Sequence, residues 1–292
     1  IGMAMNCFTQ KGDKVMIQPP VYHPFAWVTT RNERTLVTNP LKWENGMYRM
    51  DLDTFREQIK GCKLFILCNP HNPGGVVWTE AELRAIADIC YDEKVLVFSD
   101  EIHADLTLPP HTHRPFATVS EKARMNSVTF MSPSKAFNMP GLSASHALIF
   151  NEDLRKRFRI YMDAGELDMG HVFAFLSVEA AYSHGTEWLD QCLAYIQGNI
   201  DFVDDFLKNH APKIKAIRPG ASYLVWLDCR ELKLSQKDLN EFFVDKAHLA
   251  LNDGEMFGKE GIGFMRLNVA SPRCIIEKAM KQLADAYQLY IK

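Results

Sequence analysis

Short apolar runs alternate with amphipathic stretches through the first half of the chain, and each run stops at a cluster of polar residues. Leu64-Phe65-Ile66-Leu67, Val95-Leu96-Val97-Phe98 and Val128-Thr129-Phe130-Met131 read as strands buried on both faces. Lys14–Gln18 reads as a further strand, closed by Pro19-Pro20, and Ala144–Phe150 as another. Helix signals fall between them. Asp51 or Asp53 can cap a helix opening at Asp51-Leu52-Asp53-Thr54-Phe55, because a short acidic side chain accepts from exposed N–H groups of the first turn. Thr79 and Glu82 have capping-box spacing, which predicts a helix running to about Lys94. Alternating strands and helices with short turns imply an α/β fold, a mostly parallel sheet sandwiched by helices.

The pattern changes after Asn151. Asp153–Met162, His171–Ser183 and Glu187–His210 are predicted helices, the last long enough to join two domains. Then come a strand at Ser222–Leu227, a helix at Gln236–Ala247, a strand at Phe264–Val269 and a final helix, Pro272–Tyr290, with proline near its start. The expected division is a large α/β domain over residues 1–190 and a smaller α+β domain over 191–292. At the other end Ile1, Met5 and Phe8 form a helical stripe with no cap before it. The stripe reads as a helix entered part-way and not as a signal peptide, so an N-terminally truncated version of a longer protein is expected.

Composition narrows the function classes. The chain has 292 residues, 47% hydrophobic and 24% charged, with 33 basic against 36 acidic residues. That balance gives no electrostatic reason to bind nucleic acid or an anionic membrane, and no apolar stretch has the length of a bilayer span. Seven cysteines are scattered without a Cys-x-x-Cys pair, which favours free thiols in a reducing cytoplasm over disulfides or zinc. His111 and His113 lie in a Pro-rich loop with no nearby acid cluster and read as solvated, so no metal site is expected. No nucleophile elbow, Walker loop or dinucleotide fingerprint follows a strand.

The chemistry gathers just beyond the strands, where open α/β sheets hold ligands. Three segments stand there: Cys68-Asn69-Pro70-His71-Asn72-Pro73-Gly74-Gly75, Phe98-Ser99-Asp100-Glu101-Ile102-His103, and Ser132-Pro133-Ser134-Lys135-Ala136-Phe137 with its continuation to Leu142. One amide, one acid and one lysine at three strand ends suit a carbonyl cofactor. A lysine that bonds to a carbonyl carbon must be partly desolvated to free its lone pair, as a loop after a buried strand allows. A buried carboxylate keeps a ring nitrogen protonated. Each residue alone has a plainer explanation: turn chemistry for Asn72, a cap or ion pair for Asp100, a solvated surface for Lys135.

Together these segments resemble pyridoxal-phosphate enzymes of the aspartate-aminotransferase fold (fold type I), and within them the MalY/PatB-type C–S β-lyases. The resemblance implies that Lys135 binds pyridoxal 5′-phosphate and moves the Cα proton, that Asp100 pairs with the pyridine nitrogen, and that Asn72 donates to the phenolic oxygen. It further implies that Tyr22 stacks on the ring and that His103 lies near the phenolic oxygen, where aminotransferases usually carry tyrosine. Ser132 and Ser134 are the expected phosphate donors, and Arg266 the expected grip on the substrate α-carboxylate. Glu101 and Arg273 are expected to be structural. Ser143 replaces the arginine that aminotransferases usually carry eight positions past the lysine, which favours the lyase branch. The implied activity is cleavage of L-cystathionine or a related cysteine S-conjugate to a thiol, pyruvate and ammonia, by a homodimer. A class I/II aminotransferase and a regulatory or inactive protein of the same fold are the alternatives.

Overall fold

The computed structural model describes residues 1–290. Helix α1 (Gly2–Phe8) leads into β1 (Lys14–Ile17), α2 (Pro24–Arg31) and β2 (Thr35–Thr38), followed by a small hairpin, β3 (Lys42–Glu44) with β4 (Met47–Arg49). Next come α3 (Leu52–Gln58), β5 (Cys62–Cys68), α4 (Glu80–Asp92), β6 (Leu96–Asp100), α5 (Glu121–Met125), β7 (Ser127–Met131), α6 (Pro133–Ala136) and β8 (His146–Leu148). The six-stranded sheet has the order β2-β1-β5-β6-β7-β8. All its neighbours pair in parallel except β8, which returns antiparallel beside β7.

Period-two alternation places successive residues of these strands on opposite faces. Val15, Ile17, Leu64 and Ile66 pack on one side with Met5 of α1 and Phe25 of α2. Met16, Phe65 and Leu67 pack on the other with Phe55 of α3 and Leu83 and Ile86 of α4. Both faces are therefore covered, as the unbroken apolar runs require. Local capping agrees with the sequence: the Asp51 side chain accepts from Thr54 N–H, and Thr79 and Glu82 form a reciprocal capping box on α4.

The remainder holds α7 (Glu152–Ala164), α8 (Val172–His184), α9 (Thr186–His210), β9 (Lys215–Ile217), β10 (Leu224–Asp228), α10 (Gln236–Glu241), β11 (Asn252–Asp253), β12 (Phe264–Asn268) and α11 (Arg273–Tyr290). Its four strands form a second sheet in the order β11-β12-β10-β9. One face of that sheet, with Val225, Leu227, Met265 and Leu267, packs against residues of α9 and α11. The other face turns Trp226 and Phe264 into the core of the large sheet. The two sheets thus share apolar surface, and each side chain fully withdrawn from water there contributes about 1.5 to 3 kcal/mol.

Two expectations are corrected. The helix expected over Gln236–Ala247 is α-helical only to Glu241 and continues as one π turn, Phe242–Lys246. The segment carrying Lys135, expected as a loop, is a short helical turn, Pro133–Ala136, whose Ser132 cap accepts from Ser134 N–H. Proline at the first helical position favours that turn, since its missing N–H has no partner to lose there.

Candidate active site

Strands β5, β6 and β7 lie side by side and end together, with Cys68 opposite Asp100 and Asp100 opposite Phe130. Beyond those ends is a cavity of about 330 Å³ whose lining includes Tyr22, Asn72, Asp100, His103, Lys135 and Arg266. Six of the residues singled out in the sequence therefore meet in one space. They come from chain positions as far apart as 22 and 266.

Each is held there by a traceable contact. Asp100 is the last residue of β6; its backbone carbonyl accepts from Asn69 N–H at 2.9 Å, and its carboxylate accepts from Ile102 N–H at 3.2 Å. Burial pushes the Asp100 carboxyl up to about 6, an effect the Ile102 hydrogen bond only partly offsets. A half-buried, desolvated acid that accepts one hydrogen bond is stabilised as a carboxylate by a cation placed beside it. The turn bearing Asn72 closes at Gly75, where φ is +65° and an added Cβ would stand 2.4 Å from Pro219 Cβ. Glycine is required there because a side chain would collide with the second part of the molecule, and Gly75 C=O accepts from Gly220 N–H.

That close approach lets β12 reach the site. The Arg266 guanidinium donates to Asn72 Oδ1 at 2.9 Å and to Asn252 Oδ1 at 2.7 Å, and it lies 4.7 Å over the Phe257 ring. Its Nε is buried without a partner, and among the described residues no carboxylate pairs with it. A cation so placed is desolvated but not neutralised, and burial lowers its pKa from the usual value. Because Asn72 gives its oxygen to Arg266, its amide nitrogen is the group left to donate elsewhere.

His103 is buried, its Nδ1 has no partner, and burial with nearby Lys135 and Arg266 drives its pKa down to about 3. It is therefore a neutral imidazole near pH 7. Tyr22 remains about one-third exposed; burial, then Asp100, raises its phenol pKa.

The serines are not brought in. Ser132 and Ser134 lie outside this lining. Ser132 is buried as the cap of α6, and its hydroxyl lies within 2.5 Å of Ala144 C=O and 2.8 Å of Ser134 Oγ. Capping the turn that presents Lys135 turns that hydroxyl inward. His113 is not solvated as expected: its Nε2 lies 2.7 Å from Glu101 Oε2 inside the protein. Glu101 also accepts from Ser99 Oγ and Phe116 N–H, a buried brace directly behind Asp100. Arg273 binds Asn199 at the start of α11, away from the cavity.

His23, Tyr223, Asn268 and the Arg266 partner Asn252 were not anticipated. Asn268 was within reach, since it lies two residues from Arg266 on a strand and so on the same face. For the others no local signal existed.

A pyridoxal phosphate ring fits this donor set. Lys135 would meet its carbonyl carbon, Asp100 its ring nitrogen and Asn72 its phenolic oxygen, while the unpartnered His103 Nδ1 and Arg266 Nε show a space built for polar contents.

Comparisons with known proteins agree. Residues 1–283 match the aminotransferase class I and II family. Cystathionine beta-lyase PatB of Bacillus subtilis is 38% identical over 288 residues, 98% of this chain and 74% of the relative. Protein MalY of Escherichia coli is 32% identical over 282 residues, 96% of this chain and 72% of that protein. Among solved structures, cystalysin from Treponema denticola, which contains a pyridoxal 5′-phosphate cofactor, superposes with a TM-score of 0.96 at 35% identity, over 98% of this chain and 73% of that one.

Proposed function

The chain belongs to the aminotransferase class I and II family, and on that premise we propose that it is a pyridoxal-phosphate-dependent C–S β-lyase. It cleaves a cysteine S-conjugate with one water to a thiol, pyruvate and ammonia. The observation that carries this is the meeting in one cavity of Lys135, Asp100, Asn72 and Arg266, the last paired with no carboxylate among the described residues; the names of the PatB and cystalysin relatives favour the lyase branch.

The bound cofactor supplies an electron-withdrawing ring that lowers the cost of removing the Cα proton. Lys135 would hold the cofactor at its carbonyl and would accept the Cα proton of a bound substrate. Asp100 would face the ring nitrogen, where a positive charge would offset the carboxylate's desolvation. Arg266 binds the substrate carboxylate through two parallel hydrogen bonds. Asn72, fixed by Arg266, would donate to the phenolic oxygen, and Tyr22 would cover the ring. In this scheme residues 1–190 are the cofactor-binding unit and 191–292 bring the carboxylate grip.

A homodimer is part of the same proposal. Helix α8 leaves Val172, Phe173, Phe175 and Leu176 each more than half exposed, and an apolar helix with so little covered is suited to a second copy. Seven free cysteines, five of them buried, support a reducing cytoplasm, and no described helix is long and apolar enough to cross a membrane.

The test is to load the protein with pyridoxal phosphate and add L-cystathionine without a keto acid. Repeated release of pyruvate, lost in Lys135→Ala, is expected. A single conversion to pyridoxamine phosphate that stalls until a keto acid arrives would mean an aminotransferase. No conversion at all would point to a regulatory or inactive chain.

A further inference from the structure

Glu101 follows Asp100 directly and turns the other way. Asp100 lines the cavity, whereas Glu101 is 1% exposed and forms no part of that lining. Neighbours on an extended chain point to opposite sides, so Glu101 shares its side with Ser99. The Ser99 hydroxyl donates to Glu101 Oε1 at 2.7 Å, and Phe116 N–H donates to the same oxygen at 2.9 Å. His113 Nε2 lies 2.7 Å from Oε2. The backbone is pinned as well, with Glu101 N–H donating to Phe130 C=O at 2.9 Å. Oε1 thus takes two hydrogen bonds from neutral donors, the arrangement of a carboxylate, which accepts and does not donate.

Two acids on consecutive residues, both withdrawn from bulk water, repel each other when both are charged. Burial is the largest cause of the raised Asp100 carboxyl, and the Glu101 charge acts in the same direction. Without a cation nearby the arrangement is costly. A positive charge on the cavity side reverses the balance, because both acids attract it. Through the protein interior the more distant attraction is only weakly screened. A brace that needed hydrogen bonds alone could be built with an amide, whose oxygen also accepts from a hydroxyl and an N–H. The acid adds a field centred on the place that Asp100 faces.

We propose that Glu101 is a positioning residue for the cofactor: its buried charge, acting through Asp100, holds the proton on the cofactor's ring nitrogen. The inference rests on the pyridoxal phosphate site described above and gives a residue outside the cavity a part in its chemistry.

The test is a binding comparison and needs no turnover. At pH 7.5 the cofactor-free chain is titrated with pyridoxal phosphate and with an analogue whose ring nitrogen is replaced by C–H. The ratio of the two dissociation constants is the readout. Contacts to the carbonyl and the phenolic oxygen are common to both ligands and cancel, so the ratio reports the ring nitrogen and what it meets. Glu101→Gln keeps the shape and an acceptor for Ser99 and Phe116 but removes the charge. It is expected to shrink the parent's preference for pyridoxal phosphate by about tenfold; Glu101→Met is a second uncharged filling should glutamine impair folding. Glu101→Asp keeps the charge and is expected to hold the ratio within about threefold of the parent, even where overall affinity falls. A preference that survives in the uncharged variants, or one lost equally in Glu101→Asp, would overturn the proposal and leave Glu101 a structural brace. A parent that binds both ligands equally would remove Asp100 from the ring nitrogen, and the cofactor geometry would fall together with this inference.

Discussion

Asp100 and Lys135 stand on the wall of the cavity supplied by the six-stranded sheet, with Glu101 and His113 paired behind them, whereas Arg266 on the opposing wall is backed by two amide oxygens and the face of Phe257. The first wall is rigid: its polar groups end adjacent parallel strands that are buried on both faces. The second arrives from a separate sheet and carries one desolvated cation with no counter-charge among the described residues. A fixed wall suits the cofactor, which stays, and an uncompensated cation suits a carboxylate that comes and goes. The contrast yields a rule for mutation: changes on the first wall should alter chemistry and cofactor retention, and changes on the second should alter substrate affinity.

The sharpest break is Lys135→Ala. Pyruvate release should fall by at least about 10³-fold, some 4 kcal/mol in barrier, and dialysis should strip the cofactor faster than from the unaltered protein. On the opposite wall, Arg266→Ala should raise KM about 30-fold or more with slower cofactor loss than Lys135→Ala; steady-state kinetics on both variants would show whether the walls divide their work this way. Behind the first wall, Glu101→Ala would orphan Ser99 Oγ, Phe116 N–H and His113 Nε2 together. A loss of about 2 to 4 kcal/mol in stability is expected, read by urea unfolding at pH 7.

The smallest effect concerns pH. The Asp100 carboxyl titrates near 6 when folded, against an ordinary value of 3.8. The folded chain therefore keeps a proton that the unfolded chain has released between those values. Stability from this group is full below about pH 4 and is lost as pH rises through 6. Asp100→Asn should remove that slope and make the cofactor-free protein more stable than the parent at pH 7.5 by about 1 to 3 kcal/mol, while weakening cofactor binding. Unfolding curves of both proteins at pH 4.5 and 7.5 would check the sign.

Much of the frame could be read from local pattern. The apolar runs ending at Cys68, Asp100 and Met131 are strands in the structure, and the Thr79–Glu82 box caps α4, because burial on two faces and capping are both written in adjacent residues. Other elements left weaker traces. Strand β2 has a half-exposed, mixed composition, and α2 starts beside prolines that read only as a turn. The turn holding Lys135 reads as a loop, since four residues are too few to show a helical period. At the site, motif spacing singled out Lys135, Asp100 and Asn72, but it could not show that Ser132 spends its hydroxyl on capping or that His113 is buried against Glu101.

By itself the sequence determined which strands are buried, where they end, and which amide, acid and lysine stand at those ends, because each of these follows from neighbours in the chain. Only the tertiary structure decided that Arg266 closes on Asn72 across 194 positions, that its partners are uncharged, and that a second cavity opens on the far side of Lys135. Those features depend on how two sheets pack against each other, with Gly75 against Pro219 as one contact point. Packing between distant segments is set by the fit of whole surfaces, and no short stretch of sequence carries it.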